Sequence, residues 1–222
     1  MSNYSSNSIS YADSSNEVLS NTYKFLSYTL GFSGVCALLG MFFNISLITS
    51  GMSTFVFFIG YFALLYFIEK NKNNSMGVYL TFAFTGVMGL TLSPLLNAYM
   101  NAGQGGIIAT SLLGTGGVFY ATSLIGKSTS KDLSSYAKLV FPVMIMGFVA
   151  GLINAFVFGS SMFAIAISSL FLVCSSFVIA WQTQQIINGG ERNYISATVT
   201  LYVSIYNIFT SLLHILGAAS RE

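Results

Sequence analysis

Charge is what this sequence has least of. Only 6% of its 222 residues are Asp, Glu, Lys or Arg, whereas soluble domains carry about 25% of these residues. Hydrophobic residues make up 54% of the chain, and the net charge of +2 is too small to indicate a nucleic-acid partner. These proportions exclude an ordinary soluble domain and predict an integral membrane protein whose solvent is the lipid bilayer.

Residues that carry chemistry are also scarce. The two cysteines, Cys36 and Cys174, each lie inside an apolar stretch, so the sequence predicts neither a disulfide framework nor a metal site. The one histidine, His214, has no second histidine or carboxylate at the same depth to complete a proton-transfer or metal site. Nucleophile, zinc-protease and phosphate-loop motifs are absent, and the glycine-rich segment Ala102–Gly106 lies in a loop. We therefore expect a non-enzymatic protein without a metal or cofactor.

Seven apolar stretches run through the chain and predict an all-α membrane domain over residues 21–222. A bilayer core of about 30 Å needs about 20 apolar residues in a helix. The stretches are continuous rather than alternating, which favours helices over a transmembrane barrel. The second stretch is short and the sixth is long. The predicted spans are Phe25–Phe43, Ser53–Ile68, Val78–Met100, Ile107–Ile125, Leu139–Phe158, Met162–Ile187 and Ile195–Leu216.

The basic residues predict the orientation of these spans. All of them except Arg221 lie on one side: Lys24, Lys70, Lys72, Lys127, Lys131, Lys138 and Arg192. The loops on the other side, within residues 44–52, 101–106 and 159–161, carry no charge. By the positive-inside rule the N-terminus is cytoplasmic, and seven spans place the C-terminus on the periplasmic side. A re-entrant last stretch would return the C-terminus to the cytoplasm.

The first twenty residues differ from the rest of the chain. They are rich in Ser and Asn and contain no apolar core. Such a segment buries too little apolar surface to offset the entropy of ordering it. We therefore predict that residues 1–20 form a disordered cytoplasmic tail.

Small residues and one proline indicate how the helices pack. The fifth stretch has Gly147 and Gly151 at a spacing that lets two membrane helices approach closely. Packing within the chain and a dimerisation face are both open interpretations. In the third stretch, Pro94 removes a backbone donor and predicts a kink. The nearby Asn97 either bonds a freed carbonyl or lines a polar pocket.

Polar side chains cluster in the last two stretches. Gln182 in the sixth and Ser204 in the seventh are predicted at comparable depth, and further polar residues accompany them. The predicted hydrogen-bonding core of this hairpin also contains Thr198, Tyr202, Tyr206 and Asn207. Such a core is either polar packing within a bundle, in which interhelical hydrogen bonds average about 0.6 kcal/mol, or a hydrated solute path.

Three blocks of sequence resemble a known family. INGGERNYISATVTLYVSIYNIFTSLLHILGAASRE at Ile187–Glu222 is the most specific of them. TFAFTGVMGLTLSPLLNAYMNAG at Thr81–Gly103 and LSNTYKFLSYTLGFSG at Leu19–Gly34 also fit. On these blocks the chain resembles bacterial inner-membrane members of the Bax inhibitor family, from Leu19 onward.

The resemblance implies a fold, a partner and an alternative function. It implies seven helices with the last one central, and association with FtsH, a membrane-anchored AAA protease that carries its own zinc and ATP. Other members of the family are pH-sensitive calcium leaks gated by two aspartates. Those positions correspond here to Gln182 and Ser204, neither of which titrates near neutral pH. The leading hypothesis is a modulator of the protease, and the alternatives are a cation leak without the acidic gate and a purely structural membrane protein.

Overall fold

Seven α-helices and one short π-helical turn make up the described part of the chain, and no strand occurs in it. The computed structural model describes the backbone of residues 2–47 and 51–220, and the side chains of residues 15–47 and 53–220. The α-helices are α1 (Ser2–Phe42), α2 (Gly51–Lys70), α3 (Ser75–Asn101), α4 (Gly105–Ser128), α5 (Ser134–Ile153), α6 (Ser161–Ile187) and α7 (Tyr194–Ala219).

All seven helices contain a segment long and apolar enough to cross a bilayer, which confirms the predicted fold class. The second span, Ser53–Lys70, has only 18 residues, whereas the sixth, Ser161–Ile187, has 27. The short second stretch and the long sixth stretch were both expected. Helices are favoured here because lipid offers the backbone no hydrogen-bond partner outside the segment itself.

Helix α1 begins at Ser2, well before the predicted first span. The disordered tail at residues 1–20 stays a prediction. The domain boundary at residue 20 and the sidedness of the spans stay predictions. Residues 48–50 and Arg221, which enter the charge argument, lie outside the described residues.

The turn between α5 and α6 depends on one asparagine. Helix α5 ends in a π-helical turn at Asn154–Phe158, followed by Gly159 with a φ of 59°. The Asn154 side chain accepts a hydrogen bond from Ser160 N at 3.1 Å and donates one to Ser160 O at 3.1 Å. A residue with positive φ favours glycine, which explains Gly159 at this position.

The chain forms two compact units, and the division falls inside α7. The first unit comprises Met1–Gln104 and Gly189–Tyr202, and the second comprises Gly105–Asn188 and Val203–Glu222.

Within the first unit, α1 and α3 approach closely at glycines. A Cβ atom added at Gly89 would overlap the carbonyl oxygen of Ser33, and one added at Gly86 would lie 2.9 Å from the Phe32 ring.

Close glycine contacts also hold the second unit together. A Cβ atom at Gly147 of α5 would lie 2.9 Å from Leu170 of α6, and one at Gly126 of α4 would overlap the carbonyl oxygen of Ala180. Gly151 also faces α6, with a Cβ position 3.9 Å from Ile167. The Gly147 and Gly151 pair therefore packs within the chain, which favours that interpretation over a dimerisation face.

Helix α3 runs through Pro94 without a break, and its polar residues bond the end of α1. Ser93 Oγ donates to the Ala37 carbonyl at 3.0 Å. Asn97 Nδ2 donates to the Met41 carbonyl at 3.3 Å and to Asn44 Oδ1 at 3.2 Å. The last carbonyls of a helix have no partner within it, so Asn97 satisfies one such group on α1.

Tyr202 is the polar centre of the first unit. Its side chain is 1% exposed, and its hydroxyl forms a hydrogen bond with Ser33 Oγ at 2.6 Å. The same hydroxyl donates to the Thr85 carbonyl at 3.3 Å, and the ring packs edge-on against Phe84 at 6.0 Å. One side chain of α7 thereby joins α1 and α3.

Replacing Tyr202 with Phe is expected to destabilise the protein by about 1 kcal/mol, because two interhelical bonds of about 0.6 kcal/mol each are lost. Thermal unfolding of the purified chain in detergent measures the change. The matched control is Tyr28→Phe on the exposed face of α1, where Tyr28 is 67% exposed, and this variant should unfold like the wild type. Equal stability of both variants would contradict the assigned role of Tyr202.

Candidate functional site

The turn between α2 and α3 and the start of α7 form a polar cluster in the first unit. Asn193 Nδ2 donates to the Lys72 carbonyl at 3.0 Å and to Asn73 Oδ1 at 2.9 Å. Ser196 Oγ donates to Glu69 Oε2 at 2.7 Å, and Glu69 also forms an ion pair with Lys72. The hydrogen bond to Glu69 raises the pKa of the Lys72 ammonium, which therefore stays charged at neutral pH.

Asn193 also begins α7. Its side-chain oxygen accepts hydrogen bonds from the Ile195 and Ser196 amides at 2.9 and 3.1 Å, as an N-cap residue does. A cavity of about 560 Å³ opens beside this cluster. Its lining combines polar and aromatic side chains: Lys72, Asn73, Asn74, Ser75, Val78, Tyr79, Asn193, Tyr194 and Ile195. Sequence reasoning missed this site, although an asparagine directly before an apolar periodic segment is a helix-start signal.

The predicted polar core of the last hairpin contains residues of both units. Thr198 and Tyr202 belong to the first unit, where Thr198 Oγ1 donates to the Thr22 carbonyl of α1 at 3.2 Å. Tyr202 bonds α1 and α3, as described above. Ser204, Tyr206 and Asn207 belong to the second unit. The hydrogen bonds of Thr198 and Tyr202 thus run to helices that the sequence did not suggest as their partners.

Gln182 and Ser204, the positions that the family resemblance suggested as counterparts of the gate, are both buried in the second unit, at 3% and 2% exposure. The Nε2 atom of Gln182 has no hydrogen-bond partner among the described residues. Other buried polar atoms on α4 and α6 share this property: Ser111 Oγ, Ser123 Oγ, Ser175 Oγ, Trp181 Nε1 and Thr183 Oγ1. Unpartnered polar groups inside a membrane protein are rare and costly, so this part of the second unit is a candidate polar interior.

Gln184 lies only two residues further along α6, but its side-chain amide, unlike that of Gln182, has hydrogen-bond partners at both its nitrogen and its oxygen. It is 3% exposed, and its amide is fully used by the connection between α4 and α5. Its Nε2 donates to the Lys131 carbonyl at 2.7 Å and to the Thr129 carbonyl at 3.4 Å, and its Oε1 accepts from the Leu133 amide at 2.9 Å. We call this arrangement the Gln184 clamp. The sequence showed only a run of glutamines here.

His214 is the one histidine of the chain, and it lies near the end of α7. Its Nδ1 atom is 3.4 Å from Ser168 Oγ of α6. No group of three or more His, Cys, Asp or Glu side chains suitable for a metal occurs among the described residues. Among the described residues, His214 is therefore a single polar side chain beside Ser168 and not a member of a metal-binding group.

Seven membrane-length helices with polar side chains buried between them define a multi-pass helical membrane protein. The sequence model of the family described as Inhibitor of apoptosis-promoting Bax1 matches residues 15–221. That match covers nearly the whole chain, so this protein belongs to the Bax inhibitor family.

Individual relatives agree with this assignment. The chain is 40% identical over 209 residues to the Modulator of FtsH protease YccA of Escherichia coli K12, covering 94% of this chain and 93% of the relative. A second Escherichia coli protein with the same identity and coverage is named Inner membrane protein YccA. An uncharacterized membrane protein of Vibrio cholerae is 41% identical over 209 residues, covering 93% of this chain and 92% of that protein.

The two buried glutamines of α6 predict different changes in stability for the same substitution. Gln184→Met removes three hydrogen bonds and leaves the Lys131 carbonyl and the Leu133 amide without them, at a cost of about 1–3 kcal/mol. Gln182→Met removes an amide nitrogen that has no partner in the described part of the chain, so this substitution should cost less stability or increase it. Thermal unfolding of both variants in the same detergent makes the comparison. A larger loss of stability for Gln182→Met than for Gln184→Met would show that the Gln182 amide has a hydrogen-bond partner in the membrane.

Proposed function

We propose that this chain is a non-enzymatic protein of the bacterial inner membrane that binds an FtsH-type protease and restrains its action on other membrane proteins. The observation that carries the proposal is the 40% identity, over 94% of the chain, to a relative named as a modulator of that protease. The name of a second relative supports the inner-membrane location. The charge distribution supports a cytoplasmic N-terminus and a periplasmic C-terminus.

The mechanism that we propose is competition by a slow substrate. The N-terminal segment before Ser15 lies outside the candidate span of α1 and contains only one charged residue, Asp13. A polar segment of this length is a suitable handle for an AAA unfoldase. Behind it, the contacts of Tyr202, Asn97 and the packed glycines resist extraction of the helices. The protease would thereby be occupied for longer than by an ordinary substrate.

Deleting residues 2–14 tests the handle without entering the candidate span. In vesicles that contain the protease, ATP and a second membrane substrate, the full chain should slow degradation of that substrate and be degraded slowly itself. The deletion should abolish both effects, because the unfoldase no longer has a segment to engage. Degradation rates of both proteins, followed by quantitative gel analysis, provide the measurement.

A variant in which residues 2–14 are replaced by a Ser/Gly segment of equal length is the matched control. It should restore both effects if the unfoldase requires length and flexibility rather than a particular sequence. Unchanged rates after the deletion would refute the handle. Failure of the full chain to bind the protease in mild detergent, together with no effect on its rate, would refute the proposed function itself.

A second candidate function is a leak for a cation or small solute. The observation that favours it is the set of unpartnered polar atoms on α4 and α6, which includes Gln182, Ser123 and Thr183. Polar groups that do not bond one another are able to bond a passing solute or water instead. The gate positions Gln182 and Ser204 carry no titratable group, so such a leak would lack the acidic gate.

Vesicles that contain the purified chain should, on this second proposal, release a trapped cation faster than empty vesicles, with little dependence on pH between 5 and 8. Gln182→Leu together with Thr183→Val should slow the release, because the polar lining is removed. Gln182→Asp with Ser204→Asp should instead make the release depend on pH if the two carboxylates share protons, as a close pair does. Vesicles as tight as protein-free ones, whatever the ion and pH, would eliminate the leak.

A further inference from the structure

The connection between α4 and α5 is bonded to two side chains at the end of α6, of which Gln184 is buried and Gln185 is half-buried. Gln184 bonds three backbone groups within residues 129–133, and the neighbouring Gln185 Nε2 donates to Ser134 Oγ at 2.8 Å. Both glutamines lie at the end of α6 and bond to the connection through their side-chain amides. Lysines that only set membrane orientation need no fixed backbone, because the positive-inside rule counts charges and not conformations. A buried clamp under this connection therefore calls for a further explanation.

Three lysines accompany the clamp. Lys127 lies in the last turn of α4, Lys131 lies in the connection with its carbonyl bonded to Gln184, and Lys138 lies in the first turns of α5. All three are exposed. Asp132 is the only acidic residue among them, and its hydrogen bond from the Ser134 backbone lowers the pKa of its carboxyl. With Asp132 ionised, this basic surface has a net charge of about +2 at neutral pH.

Apolar and aromatic side chains are exposed directly beside the basic surface. Tyr136 at the start of α5 is 54% exposed and Leu139 is 69% exposed, while Ile125 in the last turns of α4 is 54% exposed. Tyrosine is enriched at the level of the lipid headgroups, and aliphatic side chains lie below it. A basic layer above an exposed apolar layer fits an amphipathic partner and not a soluble acidic protein, which would leave the apolar layer unfilled.

We propose that the connection between α4 and α5 is a binding surface for phospholipids with anionic headgroups, organised by the Gln184 clamp. Lys127, Lys131 and Lys138 bind the headgroup, and the exposed side chains of Ile125 and Leu139 contact the acyl chains. Gln184 is a positioning residue, since it acts through the backbone of residues 129–133 without touching the lipid. The location agrees with the side that the charge rule predicts to be cytoplasmic.

Lipid titration of the full chain in detergent, read by native mass spectrometry, tests this surface. The probes are phosphatidylglycerol and phosphatidylcholine with identical acyl chains. A lysine near an anionic membrane surface contributes about fivefold in affinity. The wild type should therefore retain phosphatidylglycerol at least about tenfold better than phosphatidylcholine, with a preference that falls as salt is raised.

Lys127→Gln, Lys131→Gln and Lys138→Gln combined should abolish that preference. The matched control removes the same amount of charge from exposed positions on the same predicted side, by Lys24→Gln, Lys70→Gln and Arg192→Gln. This control variant should retain the preference for phosphatidylglycerol. Gln184→Met retains every lysine but frees the connection, so it should lower the preference several-fold. Circular dichroism of each variant verifies the helix content.

Three results would overturn the proposal. A wild type that binds both lipids equally has no anionic-lipid surface. If the triple lysine variant keeps the preference for phosphatidylglycerol, the lipid binds elsewhere. If the control variant loses as much of this preference as the triple lysine variant, the preference comes from diffuse charge attraction and not from this surface. An unchanged preference in a folded Gln184→Met variant removes the clamp from the proposal. Because the lysines are exposed, their variants give a result even if Gln184→Met does not fold.

Discussion

Hydrocarbon offers a buried polar group no partner except another group of the protein, and this constraint governs the whole structure. The seven helices satisfy their own backbone, but their ends and their polar side chains have to find partners between helices. Tyr202 does this by joining Ser33 and the Thr85 carbonyl. Asn97 does it by bonding the last turn of α1. Polar residues in a chain this apolar therefore mark the contacts that fix one helix against another.

Composition alone predicted much of this fold, because a bilayer tolerates few alternatives. Seven apolar runs without charge have no other stable conformation than membrane helices, so their number and approximate length follow from the sequence. The partners of polar side chains do not follow so directly. Successive residues of a helix are separated by about 100°, so Tyr202 and Ser204 lie about 200° apart around α7. The two side chains therefore leave the helix in nearly opposite directions, they belong to different units, and a single core that contains both stays a prediction.

The same geometry separates the two glutamines of α6. Gln182 and Gln184 also differ by about 200°, so one amide is directed at the connection between α4 and α5 while the other is not. The sequence WQTQQ does not reveal which glutamine has partners, because those partners are backbone atoms of residues 129–133, more than fifty positions away. Long-range contacts to backbone groups leave no residue pattern in a single sequence. Only the fold brings them together, and the Gln184 clamp could not have been predicted.

The family resemblance suggests Gln182 and Ser204 as the counterparts of an aspartate gate in other members, and neither residue is acidic. A pair of carboxylates responds to pH because their shared proton changes the charge inside the membrane. An amide at Gln182 and a hydroxyl at Ser204 keep the same charge over that range, and both are buried. The ionisable groups of the cytoplasmic side, as the charge rule assigns it, lie instead in loops and at helix ends, among them Lys72 with Glu69 and Lys131 with Asp132. Regulation through the protease and the lipids that we propose as partners of this chain is therefore a more consistent account of this member than a proton switch between its helices.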